Sequence, residues 1–246
     1  MSQTAQYASF GSGVLIAKTS AGVSVPFGAL QDVQLEIAGK NEELYGQYQA
    51  PLQVARAQTK YSAKAKMGYI SGPVYSQLFF GVSASVGTDH LAYNESGTIP
   101  ASTPFTVTVA NSAKFVSDWG VTYAATGAAL QAVTGTPTTG EYSVSAGVYT
   151  FAAADTGLAV NISYLYSDAT NGSTLVIPNQ LQGVQPVFSV ILQRSNNGTG
   201  ERYLLSNCIA SKLSLPTAMA KFAISEMDFD AFAPNGGSPL TIYTDV

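Results

Sequence analysis

Polar and apolar side chains change places at every second residue through most of this chain, and almost no stretch repeats at helical spacing. A period of two puts successive side chains on opposite faces of an extended strand, so the pattern prescribes a mainly β protein. Val33, Leu35 and Ile37 alternate with Asp32, Gln34 and Glu36. Tyr45 to Ala57 and Lys60 to Ile70 read as two long strands around a turn at Gln58-Thr59, with Pro51 favouring an edge position or a bulge in the first. The one helical expectation is Gly72 to Phe80. Pro73 suits its first turn, Val74, Leu78 and Phe79 supply an apolar face, and Gly81 ends it.

From about Ser83 to about Gly172 the composition shifts to Thr, Ser, Ala and Gly, with turn residues at close intervals. Phe105 to Val109, Gly120 to Tyr123, Tyr142 to Ser145, Val148 to Phe151 and Val160 to Tyr166 read as short strands joined by those turns. After Asn179 the earlier style returns, with strands expected at Gln185 to Gln193, Arg202 to Leu213, Lys221 to Phe232 and Leu240 to Thr244. Residues 1–82 and 173–246 are therefore expected to share one core, and 83–172 to form an inserted or appended β subdomain. No repeat of 20 to 50 residues is present, which argues against solenoids and propellers.

A chain of 246 residues that is 46% hydrophobic has ample material for a core without disulfide staples. Only 11% of its residues are charged, against roughly 25% in an ordinary soluble domain. The net charge of -4 leaves no basic stripe large enough to grip nucleic acid. Cys208 stands alone, so an internal disulfide, a Cys-rich zinc site and a CxxC redox pair are excluded. His90 is the sole histidine, so any histidine-dependent nucleophile must run through it. Its setting, Gly87-Thr-Asp-His-Leu-Ala-Tyr, reads as a polar loop. Gly39-Lys40-Asn41 and Gly11-Ser12-Gly13 lack the remaining residues of phosphate-binding motifs and read as turns. No cofactor is implied. No apolar run approaches the roughly 18 residues of a membrane span, and the first residues lack the basic and apolar regions of a signal peptide, so the chain is expected to stay soluble.

The few charges are where the information lies. Arg56, Lys60, Lys64 and Lys66 occupy even positions and form one basic face, provided the intervening turn preserves the alternation. Asp32 with Glu36, and Glu226 with Asp228 and Asp230, form two acidic faces, while Met227 and Phe229 point the other way. The second group reads as a stripe rather than a Ca²⁺ or Mg²⁺ site. Cross-strand ion pairs contribute only about 0.2 to 1 kcal/mol each, too little to make the fold but enough to fix register or choose a partner. With so little charge elsewhere, strand edges are weakly protected, and closing them against identical copies in a ring removes the hazard. A polymerising structural subunit is the expectation.

Particular strings then resemble those of tailed-bacteriophage tail tube (major tail) proteins. They are Phe27-Gly-Ala-Leu-Gln-Asp-Val-Gln-Leu-Glu-Ile, Glu43-Leu-Tyr-Gly-Gln-Tyr-Gln-Ala-Pro-Leu-Gln-Val-Ala-Arg, Lys60-Tyr-Ser-Ala-Lys-Ala-Lys and Leu78-Phe-Phe-Gly. The segment Gly140-Glu-Tyr-Ser-Val-Ser-Ala-Gly-Val-Tyr-Thr-Phe-Ala-Ala-Ala-Asp-Thr-Gly, with Ile162-Ser-Tyr-Leu-Tyr, is similar to a β segment common in phage virion proteins. The resemblance implies a β-sandwich with one short flanking helix, whose strands complete an intersubunit β-barrel in stacked rings, usually hexamers. It implies a protein that is not an enzyme, located in the virion tail and in the host cytoplasm during assembly. The implied partners are further copies of itself, the tape-measure protein, the tail terminator and baseplate or tail-tip proteins, with double-stranded DNA as a transient passenger and no membrane.

A bore lined only by lysines would hold DNA through counterion release. Glu36, Glu226, Asp228 and Asp230 are therefore expected near the bore or beside Arg56, Lys60, Lys64 and Lys66, leaving the lumen neutral to acidic. The 83–172 segment is expected to face outward. The rival expectations are a capsid-decoration or tail-completion subunit and a carbohydrate-binding adhesin module that uses Trp119 and the tyrosines.

Overall fold

The computed structural model describes residues 13–69, 72–196, 199–217 and 219–244. The expected turn at Gly11-Ser12 and the expected strand end at Ile70 lie outside them. In chain order the strands are β1 (Val14–Thr19), β2 (Ser24–Pro26), β3 (Leu30–Tyr45), β4 (Pro51–Met67), β5 (Ser85–Thr98), β6 (Thr106–Thr108), β7 (Phe115–Tyr123) and β8 (Gln131–Ala132). They continue with β9 (Glu141–Ser145), β10 (Val148–Phe151), β11 (Ala159–Thr174), β12 (Phe188–Asn196), β13 (Thr199–Ser214), β14 (Ser225–Ala231) and β15 (Leu240–Thr244). The protein is mainly β, and nearly every strand pairing is antiparallel. Among the described residues no helix is long and apolar enough to cross a membrane.

The chain folds as two units, 1–83 with 176–246, and 84–175. In the first, eight strands form one sheet in the order β2-β1-β12-β13-β14-β4-β3, with β15 pairing β13 beside β14. Its core is drawn from alternate residues: Ala63, Ala65 and Met67 of β4, Met227 and Phe229 of β14, and Val190 and Leu192 of β12 are all buried. Phe229 lies between the rings of Phe27 and Phe188, at 6.3 and 5.9 Å. The helix Val74–Phe79 buries Val74, Ser76 and Leu78. Phe79 is only half-buried, because wide π-type turns, closed by Phe80 N–H donating to the Tyr75 carbonyl at 3.1 Å, carry it off the apolar face. Gly81, at φ 65°, supplies the left-handed residue that ends the segment.

The expected turn at Gln58-Thr59 is absent. β4 runs unbroken through these residues and pairs with β3 along its whole length, so the hairpin joins 30–45 to 51–67 and reverses at 46–50. Gly46 and Pro51 bracket that reversal, whereas Gln58 and Thr59 have no conformational reason to turn. Pro51 is the first residue of its strand, a position that needs no ladder donor on the inner side.

In the second unit a three-stranded sheet, β5-β11-β7, and a four-stranded sheet, β6-β10-β9-β8, share one core. Tyr142, Tyr149, Phe151, Val160, Ile162 and Tyr164 fill it. The tyrosine hydroxyls remain satisfied: Asp118 accepts from Tyr142 at 2.5 Å and from Tyr149 at 2.8 Å, and Glu95 accepts from Tyr164 at 2.6 Å. Burial and the Asp118 carboxylate together push the Tyr142 and Tyr149 phenols far above their usual range. β5 corrects the reading of Gly87 to Tyr93 as a loop, since His90 sits on a fourteen-residue strand with its ring 5.4 Å from that of Tyr166.

Candidate charged face

Register decides which charges share a face of the first unit. In the β3–β4 hairpin Asp32, Gln34, Glu36 and Ala38 lie opposite Lys66, Lys64, Ser62 and Lys60. On the other side of β4, Lys66, Lys64 and Ser62 lie opposite Glu226, Asp228 and Asp230. Asp228 in turn faces Lys212 of β13, and Glu226 faces Ser214. The alternate residues of these strands, Ala63, Ala65, Met227 and Phe229, are in the core, so the charged set forms the opposite, solvent-facing side.

The side chains interlock diagonally across that side. Lys64 Nζ meets Glu226 Oε1 at 2.7 Å, Lys212 Nζ meets the same oxygen at 3.0 Å, Lys60 Nζ meets Asp230 Oδ1 at 3.2 Å, and Lys66 Nζ donates to Asp32 Oδ2 at 3.1 Å. Glu226 thus ties β4 to β13 across β14. Hydrogen bonds from Lys64 and Lys212 hold its carboxyl below the ordinary glutamate range. Asp228 Oδ1 is buried without a hydrogen-bond partner at the edge of a depression of about 260 Å³ that Gln34, Glu36 and Ser62 also line. Up to Ala38 and Lys60, four lysines (Lys60, Lys64, Lys66 and Lys212) and five carboxylates (Asp32, Glu36, Glu226, Asp228 and Asp230) occupy this side, which leaves it acidic by one charge.

Arg56 does not belong to this set. Lys40 faces Gln58 while Asn41 faces Arg56, so Ala57 is an extra residue that reverses the alternation. Arg56 therefore shares the face of Asn41 and Gly39, and its side chain lies where a Cβ on Gly39 would meet it at 3.4 Å. The bulge, and not a turn, is what separates Arg56 from Lys60, Lys64 and Lys66. Lys212 is the cation that the sequence reading missed. Its outward position follows from the neighbouring inward Leu213, but a bulge between Ala210 and Lys212 obscures the period there.

Beyond Ala38 and Lys60 the β3–β4 ribbon has no other described strand against it. Leu44, Tyr45, Tyr48, Leu52 and Val54 are each between 52% and 71% exposed, so this part of the hairpin buries neither face against the other described strands.

A pH dependence follows from Glu226. A carboxyl with a lowered folded pKa stabilises the fold above its unfolded pKa, and that stabilisation is lost as pH falls through the folded value. Glu226→Gln is expected to lower Tm by no more than a few degrees at neutral pH, since both lysine side chains still reach solvent, at 37% and 56% exposed, and the gap from wild type should close on acidification below about pH 4. Thermal melts of both proteins across pH 3 to 7 check this. A gap that persists undiminished at the acid end would show that Glu226 acts through packing alone.

Compared with known protein families and with curated proteins, the chain matches none.

Proposed function

We propose that this protein is a tail tube subunit of a tailed bacteriophage, polymerising as stacked rings into the conduit for the genome. The observation that carries the reading is the outer part of the β3–β4 hairpin, a long ribbon with large apolar side chains on view and no partner among the described residues of its own chain. Such a ribbon invites pairing with another chain, and an ordered polymer is the controlled way to meet that demand. In this reading the first unit is a β-sandwich flanked by the helix Val74–Phe79. Its charged side lines the bore, and the second unit is outward decoration. The partners are further copies, the tape-measure protein, and the terminator and baseplate or tip proteins at the tube ends.

The charged side suits transit. Each phosphate that lysines neutralise releases counterions and favours retention, so a surface whose lysines are already paired with carboxylates lets DNA slide past. Electron microscopy of purified protein tests the proposal, with hollow tubes of stacked rings as the expected result. A lumen whose map shows unpaired lysines facing the bore would overturn the assignment of this face. Monomers, or discrete rings that never stack, would favour a capsid-decoration or tail-completion role. A second reading rests on the second unit, where Tyr93 of β5 and Trp119 of β7 are exposed on strands flanking β11, as in surfaces that stack sugars. Glycan-array binding by the purified protein would favour it.

A further inference from the structure

The β5-β11-β7 sheet of the second unit is interrupted by two bulges at the same level. On one side of Ser163 the ladder passes from Ala92 opposite Tyr164 to Glu95 opposite Ile162, so Tyr93 and Asn94 together face Ser163. On the other side it passes from Asp118 opposite Tyr164 to Val121 opposite Ile162, so Trp119 and Gly120 face the same serine. Each bulge contains one residue at positive φ, Asn94 at 55° and Gly120 at 109°. The backbone donors of those residues are satisfied: the Asn94 N–H donates to Ser163 Oγ at 3.2 Å, and the Gly120 N–H donates to Asp118 Oδ1 at 3.1 Å. Bulges held in this way re-aim particular side chains.

What they aim outward is a pair of aromatic rings. Ala92, Ile162 and Tyr164 lie against the core of the unit, which puts Tyr93 and Ser163 on the opposite side. Trp119 shares that side, because its indole N–H donates at 3.2 Å to the hydroxyl of Ser117, whose partner Leu165 adjoins the inward Tyr164. Tyr93 is 75% exposed and Trp119 65%. Neighbouring strands lie about 4.8 Å apart, so the backbones that carry the two rings, with β11 between them, are separated by roughly 10 Å. The bond to Ser117 restrains the indole before any ligand arrives, a preorganisation that lowers the cost of binding.

We infer that this face binds an uncharged, linear β-1,4-linked glycan laid across the three strands, with Tyr93 and Trp119 each stacking on a sugar ring. The inference rests on the sugar-binding reading of the second unit and stands apart from the tube. Two further features choose the ligand.

The first is charge. In the stretches 91–96, 117–122 and 161–165 the charged residues are Glu95 and Asp118, and both turn inward to accept from Tyr164 and from Tyr142 and Tyr149. The outward residues beside the rings are neutral: Asn161 lies opposite Ser96 on one side and Thr122 on the other, next to Ser163. Ser163 Oγ accepts from Asn94 and keeps its own O–H to donate. Aromatic faces set among hydroxyl and amide groups match a ligand made of C–H faces and hydroxyls.

The second is spacing. In a β-1,4-linked pyranose chain successive rings are turned over, so the same ring face recurs at every second residue, a repeat of the same order as the separation across β11. An α-1,4-linked chain coils and offers no flat ribbon for two rings to share.

Trp119 is the sole tryptophan of the chain, so tryptophan fluorescence reports on this face alone. Titration of the intact chain with cellohexaose and with chitohexaose is expected to shift that emission saturably for at least one of them, while maltohexaose leaves it unchanged. Tyr93→Ala keeps the reporter and should weaken binding about tenfold, and Trp119→Ala, followed by calorimetry, should weaken it at least as much. Both rings are exposed, so either variant should melt within a few degrees of wild type. Saccharide binding that survives both substitutions would overturn this face and leave a sugar-binding role for the second unit standing. No response to either β-1,4-linked hexasaccharide, with hits on a glycan array, would overturn the ligand and keep that role, and silence in every assay would overturn both. Loss of assembly in Tyr93→Ala, with no saccharide response in wild type, would reassign the face to a contact between copies.

Discussion

Cutting the hairpin short is expected to abolish assembly without unfolding the protein. Asn41 and Arg56 face each other in the ladder, so replacing residues 42–55 with Asn-Gly closes the ribbon through a two-residue turn. No residue in 42–55 belongs to the buried core, and the strands that bury the proximal hairpin are untouched. The melting temperature should therefore hold within a few degrees. What is lost is the exposed apolar surface of Leu44, Tyr45, Tyr48, Leu52 and Val54. Burial of even two such side chains against a neighbour contributes on the order of 3 kcal/mol, so the concentration needed for assembly should rise by at least about 100-fold. Sedimentation velocity across a dilution series, paired with a thermal melt, reads both quantities. A truncated protein that assembles at the wild-type concentration would remove the hairpin from any role between copies.

The same ribbon explains what could and could not be read from residues alone. Alternation reports a strand when one face is buried and the other is wet. It was plain in β14, where Met227 and Phe229 are inside and Glu226, Asp228 and Asp230 outside, and in the proximal part of β4 around Ala63, Ala65 and Met67. In the outer hairpin both faces are wet, so the pattern carries no phase, and the true reversal at 46–50 was hidden inside an apparent strand. The bulge at Ala57 left no mark in composition, yet it moved Arg56 to the other face. β5 failed for a related reason. Gly87 at φ 99° and Asn94 at φ 55° break its alternation, and most of its residues are exposed on an edge strand that pairs with β11 alone among the described strands. The edge of the second unit lay three residues beyond the expected 172, because β11 continues through Gly172 at φ 79° to pair Ser173 and Thr174 with Val86 and Ser85.

Phe229→Ala should give the opposite signature, a large loss of stability with the assembly surface chemically intact. Phe229 is 1% exposed and packs between Phe27 and Phe188, while its neighbours in the ladder are Ala63 on β4 and Ala210 on β13. Two alanines cannot lean into the space that a phenyl ring leaves, so little of the cavity can collapse, and the cost should fall within the usual range of about 3–5 kcal/mol for such a truncation. Against a total of roughly 5–15 kcal/mol for a domain, that is a substantial fraction. Urea denaturation followed by the fluorescence of the aromatic residues should show a lower midpoint with an unchanged slope. The first unit should bear the loss, because the core of the second unit shares no residue with the cluster around Phe229. Asp228 and Asp230 flank Phe229 in the chain, so the side chain that anchors the core also holds the charged side in register. Any assembly defect in Phe229→Ala should therefore be recovered by conditions that restore the fold, such as lower temperature or a stabilising osmolyte, whereas the truncated hairpin should remain unassembled under the same treatment.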